Sequence, residues 1–333
     1  MSNTTTMKQI AERAQVSLGT VSHVLNGTAP VRERRRARVL EAIHALGYRP
    51  SELARGLRLK STSMLGMVIP DITNPFFPGI VRGVEDVAFK ESFRVVLCNT
   101  DNDAVKEKAY LDQLQSYHPA GLLLIPAENN PPAPTTVPVV FIDRCPTDWA
   151  GDAVMVGNEE GAFQATEHLL KLGHTRLAAI GGPSHLSNAA ERLAGFRNAL
   201  AEQGLEVEPD FIQVAQFDRD SGYRCGLRLL NMLPRPTAIF ASNDLIALGV
   251  LLAVRECGLR CPNDISIIGF DNLDLGMFTN PALSSVHQPG YQMGARAARL
   301  ILERIKGKRV RPQHIVLPTE LRLRDSVAPP PGR

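Results

Sequence analysis

The sequence predicts a small all-α segment at the N-terminus, followed by a larger α/β unit with parallel sheets flanked by helices. Three observations predict this. Before position 60, apolar residues recur at helical spacing. From Ser63 onward, short apolar runs alternate with helical stretches, the pattern of parallel α/β sheets. The charge also changes sign: residues 1–60 carry 11 Lys/Arg against 4 Asp/Glu, a net +7, and the other 273 carry 26 against 30, a net −4. The 333 residues accommodate a small domain plus one larger bilobal unit, and 44% hydrophobic content suits globular cores.

Several classes are disfavoured at once. Met1 to Met7 is polar and Thr-rich, without the apolar core of a signal peptide, and no later stretch approaches a membrane span. A cytoplasmic location with no membrane partner is expected. The five cysteines are odd in number and scattered, which fits a reducing compartment better than a disulfide framework. Cys257 and Cys261 have no second ligand pair, so no metal site and no cofactor are expected.

Met7, Ile10, Ala11 and Ala14 define a first helix. The pattern breaks at Gln15-Val16-Ser17 and resumes at Val21, Val24 and Leu25, with Ser17 in the N-cap position. Asn26-Gly27 stops this second helix, since both residues tolerate left-handed backbone. Two short helices with a tight turn form the helix-turn-helix motif, whose second helix enters the major groove of DNA. A generic helical hairpin has the same spacing, and the polar face discriminates. Thr20, Ser22, His23 and Asn26 are short hydrogen-bonding groups suited to phosphates and base edges. A third helix runs from about Arg32 to Leu46 and ends at Gly47, with Val39, Leu40, Ile43 and Leu46 covering the first two. Arg32, Arg34, Arg35, Arg36 and Arg38 crowd its start. That opposes the helix dipole and points to a nearby polyanion. A basic segment on an acidic body is the footprint of a nucleic-acid reader, with a solvated basic face as the alternative.

The run MKQIAERAQVSLGTVSHVLNGTAPVRERRRARVLEAIHALGYRPSELARGLR carries the motifs TVSxVLNG and LGYRPxxLARxLR. It closely resembles the headpiece of the LacI/GalR family of bacterial transcription regulators, and the similarity continues to nearly the C-terminus. The resemblance implies that Leu18, Gly19 and His23 read bases, and that Ser17, Thr20, Ser22, Asn26 and Tyr48 touch DNA, largely its backbone. Two departures stand out. Gln15 occupies the usual turn glycine, implying modest strain, and His23 replaces the commoner arginine. Leu18 and Gly19 offer no side-chain hydrogen bonds, which shifts the readout onto His23. In the next stretch, Pro50 can start a helix and Leu53 and Leu57 share a face, but so short a segment containing Gly56 is not stably helical alone. A plain linker is the alternative. The resemblance implies a hinge helix that orders on operator DNA, with Leu57 wedged into the minor groove and Ala54 and Arg58 beside it.

In the larger unit, apolar runs fall at 65–69, 95–98, 122–125, 137–142, 177–181, 238–241 and 265–269, with helices at about 77–91, 188–203 and 245–256. Two such units with a ligand between them resemble the two-lobed periplasmic-binding-protein fold. The implied division is a headpiece at 1–49, a hinge at 50–61, an effector-binding and dimerisation domain at 62–327 and a flexible tail at 328–333. The N-lobe takes about 62–159 and 289–317, and the C-lobe about 160–288 and 318–327.

Ligands in open α/β sheets sit beyond the C-terminal ends of strands. The polar residues there are Asp71, Asn99, Asp101, Asp143, Arg144, Asn243, Asp244 and Asp271, with Phe76 and Phe77 in DITNPFF. Resemblance adds Arg192, in RLAGF, and Phe217. Any one could be a helix cap or a surface charge, and Phe76 could be a core residue; their shared location favours a cleft for an effector. Arg192 and Asp271 are expected to face each other across it, and Arg192→Ala to leave folding nearly intact. No GxxxxGK[ST], HExxH, GxSxG or strand-linked GxGxxG motif supports an enzyme. The expected function is therefore a homodimeric repressor that binds a pseudo-palindromic operator under control of a sugar or sugar acid, with a purine second. A solute-binding protein would explain the larger unit but not the headpiece.

Overall fold

In a computed structural model describing residues 6–26, 29–48, 62–128, 136–308 and 311–331, the chain divides into two units, Met1–Thr62 and Ser63–Arg333. The first unit contains α1 (Met7–Ala14), α2 (Leu18–Asn26) and α3 (Glu33–Ala45). Thr6 and Gln9 cap α1 reciprocally: the Gln9 N–H donates to Thr6 Oγ1, and the Thr6 N–H donates to Gln9 Oε1 at 2.7 Å. Gln15 ends α1 in left-handed backbone, φ +50°, the strain expected where glycine is missing. Arg38 of α3 donates to the carbonyls of Ala14 (2.8 Å) and Gln15 (2.7 Å) and so clamps that turn. The arginine crowding of α3 is thus partly internal: Arg38 holds the fold and is not free to meet a polyanion. Ile10, Ala11, Ala14, Val21, Val39 and Ala42 form the core. Leu40, expected there, is 49% exposed, because the covering face of α3 runs through Val39 and Ala42 instead.

The second unit runs β1 (Met64–Ile69), α4 (Phe76–Lys90), β2 (Arg94–Asn99), α5 (Ala104–Ser116), β3 (Gly121–Leu124), β4 (Val139–Ile142), β5 (Asp152–Val156), α6 (Asn158–Lys171), β6 (Leu177–Gly181), α7 (Ser187–Glu202), β7 (Ile212–Val214), α8 (Arg219–Leu230), β8 (Ala238–Ala241), α9 (Asp244–Glu256), β9 (Ser266–Asp271), β10 (Ser284–His287), α10 (Gly290–Ile305), β11 (His314–Leu317) and β12 (Glu320–Arg322). Two six-stranded sheets result, ordered β11-β5-β4-β3-β1-β2 and β12-β10-β9-β8-β6-β7. Every pairing is parallel except β10 with β12. The central strands are buried on both faces, which is why they read as unbroken apolar runs. The chain passes between the sheets after β5, after β10 and after β11, so both lobes are discontinuous in sequence. Among the described residues, no helix is long and apolar enough to cross a membrane.

The tail does not start free at 328. The Ala328 N–H donates to Ser266 Oγ, and its carbonyl accepts from Ser266 Oγ and lies 2.8 Å from His174 Nε2. His174 Nδ1 bonds Thr237 Oγ1 at 2.9 Å, so this buried histidine pins the chain end to the second lobe.

Helices α4 and α10 meet backbone to backbone through Gly83 and Gly294. A Cβ at Gly294 would stand 2.0 Å from the Ile80 carbonyl oxygen, whereas one at Gly79, near the start of α4, would meet open space. Gly294→Ala is therefore expected to force the helices apart and cost about 1–3 kcal/mol. Gly79→Ala should be neutral or stabilising by up to about 1 kcal/mol. Thermal unfolding of both variants is the check, and equal midpoints would remove the close-approach argument.

Candidate functional sites: an exposed helix face and a buried polar cleft

On the first unit, Ser17, Leu18, Gly19 and His23 are exposed, and Thr20 and Ser22 are partly so. Ser17 caps α2: its Oγ accepts from the Thr20 N–H at 3.2 Å and bonds Thr20 Oγ1 at 2.9 Å. These two hydroxyls therefore have a structural task as well as an accessible face. Leu18 is half exposed at the start of the helix. Tyr48 is half-buried and packs on the three-helix core, to which its ring is committed. Ala54, Leu57, Arg58 and the Asn26 side chain lie outside the described residues.

On the second unit, the strand ends bring a polar network together. Asp143 and Arg144 follow β4 in the first lobe, and both are buried. Asp143, at φ +65°, accepts from Asn188 Nδ2 at 3.0 Å, a hydrogen bond from α7 of the second lobe. Arg144 donates to Asn102 Oδ1 (3.2 Å) and the Pro126 carbonyl (3.0 Å), and its Nε stands 3.6 Å from Asp143 Oδ2. Arg192 of α7 donates to Asn158 Oδ1 and the Ser242 carbonyl, both at 2.8 Å. It stacks on Phe270, 3.9 Å from the ring centre, and lies 3.7 Å from Asp271 Oδ1. Gln288 Nε2 donates to Asp271 Oδ1 at 2.5 Å. The Phe217 ring lies against Gly182, with the guanidinium carbons of Arg144 and Arg192 at 5.9 and 6.0 Å from its centre. Among the described residues, five buried side-chain atoms have no hydrogen-bond partner, and all five belong to this network: Asp143 Oδ1, Arg144 Nε, Asn188 Oδ1, Ser242 Oγ and Gln288 Oε1. Native interiors leave few such groups, so five in one place single out this network as the candidate ligand site.

Burial governs the electrostatics. It pushes the Asp143 and Asp271 carboxyls above the usual range, against the pull of the neighbouring guanidiniums. It pushes Arg144 down. Asp244, beneath the network, is pushed up to about 7, although Ser285 Oγ and the Leu273 N–H donate to it.

Several expectations need correction. Arg192 and Asp271 do face each other, but both belong to the second lobe; the pair that spans the lobes is Asp143 with Asn188. Asp101 stays on the surface, bound to Lys106 and Asn99, and it is the adjacent Asn102 that reaches Arg144. The Asn243 side-chain oxygen caps α9 through the Ile246 N–H at 2.8 Å, and Ser242 supplies the unpartnered atom instead. Phe76 and Phe77 both join the apolar core of the first lobe. Sequence reasoning missed Asn102, Asn158, Asn188, Ser242 and Gln288. Of these, Asn102 and Ser242 carried a signal, since each adjoins a residue already singled out after a strand.

A three-helix unit with an exposed polar second helix, joined to a two-lobed α/β unit with a buried polar cleft, defines a ligand-responsive DNA-binding regulator. Residues 6–51 match the family described as bacterial regulatory proteins, lacI family, and residues 166–327 match a periplasmic binding protein-like domain. The chain is 38% identical over 309 residues to the HTH-type transcriptional repressor PurR of Aliivibrio salmonicida, covering 91% of this chain and 93% of that one. It is 35% identical to PurR of Photobacterium profundum, covering 97% and 98%. Among solved structures it is similar to the regulator CelR in complex with cellobiose (32% identical, TM-score 0.76, 97% of this chain and 99% of that one). It also resembles an operator-bound lac repressor dimer (26%, TM-score 0.85, 97% and 99%) and a ribose-bound regulator from Enterococcus faecium (31%, TM-score 0.71, 80% and 99%). The chain belongs to the LacI family. It is a DNA-binding transcriptional repressor of that family, not an enzyme, and its partners are operator DNA, a small-molecule effector and a second copy of itself.

Two predictions follow from the network. Arg192→Ala leaves Asp271 buried without its cation and strands Asn158 Oδ1 and the Ser242 carbonyl. Folding should lose about 3–5 kcal/mol, not stay intact; chemical denaturation measures it. The second concerns Asp244. The folded chain keeps its proton from about pH 4, where the unfolded group releases it, up to about 7. Stability therefore falls as pH rises through that window and levels off above it. Asp244→Asn cannot ionise, so the drop in thermal midpoint between pH 5 and 8 should shrink. An unchanged profile would place the titration elsewhere.

Proposed function

We propose that the protein is a cytoplasmic repressor whose two headpieces read the half-sites of a pseudo-palindromic operator, released or engaged by a small hydroxyl-rich effector of the sugar class in the inter-lobe cleft. The observation that carries the effector reading is the set of five unpartnered buried polar atoms on Asp143, Arg144, Asn188, Ser242 and Gln288. Alternating acceptors and guanidiniums beside one aromatic face, Phe217, suit a polar ring with an apolar side. The cleft contacts proposed are Asp143, Arg144, Arg192, Phe217 and Asp271. A purine is the second reading, favoured by relatives that carry the name PurR.

For DNA, the reading assigns base contacts to Leu18, Gly19 and His23, backbone contacts to Ser17, Thr20, Ser22 and Tyr48, and minor-groove insertion to Leu57 of a hinge spanning 50–61. Exposed Leu275, Met277 and Phe278, the last 84% exposed, supply apolar surface of the kind a second copy covers. A ligand that changes the angle between lobes would change the spacing of the paired hinges.

Selection from random double-stranded DNA tests the reading. A discrete palindrome supports it, and no enrichment sinks it. His23→Ala is expected to cost about 1–3 kcal/mol on the best operator and to relax one base position. An unchanged consensus would remove His23 from the reading set.

A further inference from the structure

We propose that Arg38 is a positioning residue for operator reading: its guanidinium holds the turn at Gln15 and so fixes the angle at which α2 presents His23 to base edges. This rests on α2 being the base-contacting helix.

The turn needs a holder. Gln15 ends α1 at φ +50° and ψ +51°, a left-handed conformation in which a Cβ crowds the next carbonyl and a glycine does not. The donors of the turn are satisfied by backbone. The Gln15 N–H donates to the Glu12 carbonyl at 3.2 Å, and the Val16 N–H to the Ala11 carbonyl at 3.0 Å. The carbonyls of Ala14 and Gln15 lie beyond the reach of α1's own N–H groups. Arg38 serves both. Its Nε donates to the Ala14 carbonyl at 2.8 Å, and its Nη2 donates to the Gln15 carbonyl at 2.7 Å and also to that of Ala14. The planar fork reaches two carbonyls at once, and its charge complements the negative end of the α1 dipole.

Helix α2 in turn depends on the turn. Among its described residues only Val21 is fully buried, while Val24 and Leu25 are partly so. One buried side chain is a pivot and does not set an angle. The second restraint is the start of the helix, where Ser17 Oγ accepts from the Thr20 N–H at 3.2 Å and the Ser17 carbonyl accepts from the Val21 N–H at 3.2 Å. Ser17 stands two residues from Gln15, so a turn that relaxed would swing α2 about Val21 and displace His23. Base-edge hydrogen bonds are directional and tolerate little displacement. Leu18 and Gly19 bring no side-chain hydrogen bond that could compensate.

Arg38 acts from inside the fold. Arg32, Arg34, Arg35 and Arg36 are exposed, whereas Arg38 is half-buried. Donors spent on Ala14 and Gln15 are not available to a phosphate. Arg38 therefore sharpens reading without adding electrostatic affinity.

The test uses the full-length protein and two probes: the palindromic duplex that the wild type enriches from random double-stranded DNA, and a scrambled duplex of the same length. Arg38→Met keeps the aliphatic stem and removes the fork. It should lower the ratio of selected to scrambled affinity about 5- to 100-fold, the worth of one base contact. Binding to the scrambled duplex, set by charge, should change little, and the salt dependence on the selected duplex should keep its slope; a lost phosphate contact would reduce that slope by about 0.9. Gln15→Gly relieves the turn, so the double variant Gln15→Gly, Arg38→Met should recover most of the ratio. A merely structural role would weaken both duplexes alike and leave the ratio unchanged. If Arg38→Met binds neither duplex, the double variant decides: a ratio near that of Gln15→Gly alone supports the inference, and binding to neither duplex overturns it. An unchanged ratio in Arg38→Met, a slope reduced by about 0.9, or a double variant that reads no better than Arg38→Met also overturns it. A wild type that enriches no palindrome fails the reading of α2 and takes the inference with it. A palindrome that Arg38→Met reads as well as the wild type refutes the inference alone.

Discussion

The cleft depends on one buried guanidinium. Arg192 enters from α7 and joins the start of α6 through Asn158, the end of β8 through the Ser242 carbonyl, and β9 through Asp271, while its flat face lies on Phe270. A lysine could not do this, since the contacts need a planar fork and a stacking face together. Two strand ends, the start of α6 and α7 itself therefore take their mutual positions from one side chain. Burying it is tolerable because Asn158 and the Ser242 carbonyl accept from its N–H groups and Asp271 stands beside it.

The first lobe's share is held differently. Asp143 sits at φ +65° and Asn102 at φ +56°, left-handed conformations that cost free energy in residues with a Cβ. Asp271, in the second lobe, is at φ +111°, and Asn272 follows at +55°. Such strain persists only where surrounding contacts over-determine it. Here they do: the Asn272 N–H donates to Ser285 Oγ, Asn272 Oδ1 accepts from Arg324, and the Leu273 N–H donates to Asp244. Gly269 makes room for that buried carboxylate, since a Cβ there would stand 2.2 Å from Asp244 Oδ1.

The fold was legible because its central strands are buried on both faces and read as unbroken apolar runs. The segments at 152–156, 212–214, 284–287, 314–317 and 320–322 were not: 212–214, 314–317 and 320–322 are edge strands of three or four residues, and Asp152 or Ser284, Ser285 and His287 break the apolar pattern of the other two. The site was half legible. Charged residues directly after strands, Asp143, Arg144 and Asp271, are visible from chain order alone. Asn188 and Gln288 are not, because their importance lies in which carboxylate each amide meets, 45 and 17 residues away. Asp101 misled for the opposite reason: it has the right position after a strand, but β2 is an edge strand and its end opens to solvent. The headpiece shows the same limit. Arg38 belongs to a run that looks uniformly solvent-directed, and only the fold reveals that it spans 24 residues to reach Ala14.

These details give the cleft a mechanical consequence. Asp271 belongs to the polar network, and Leu273, two residues on, is buried in the apolar core of the first lobe together with Phe76 and Phe77. The turn between them is strained and pinned by Asp244, so the two residues are not free to move independently. The lobes thus meet through Asp143 with Asn188, through the Phe217 ring near Arg144, and through Leu273 in the opposite core. The first two contacts are polar or ring contacts to the very groups that have unpartnered atoms. A ligand that satisfies those atoms adds differential contacts to one arrangement of the lobes, the only means by which binding shifts such an equilibrium. The apolar contact at Leu273 then converts a change around Asp271 into a change of packing between lobes, because a close-packed interface has discrete alternatives rather than a continuous range.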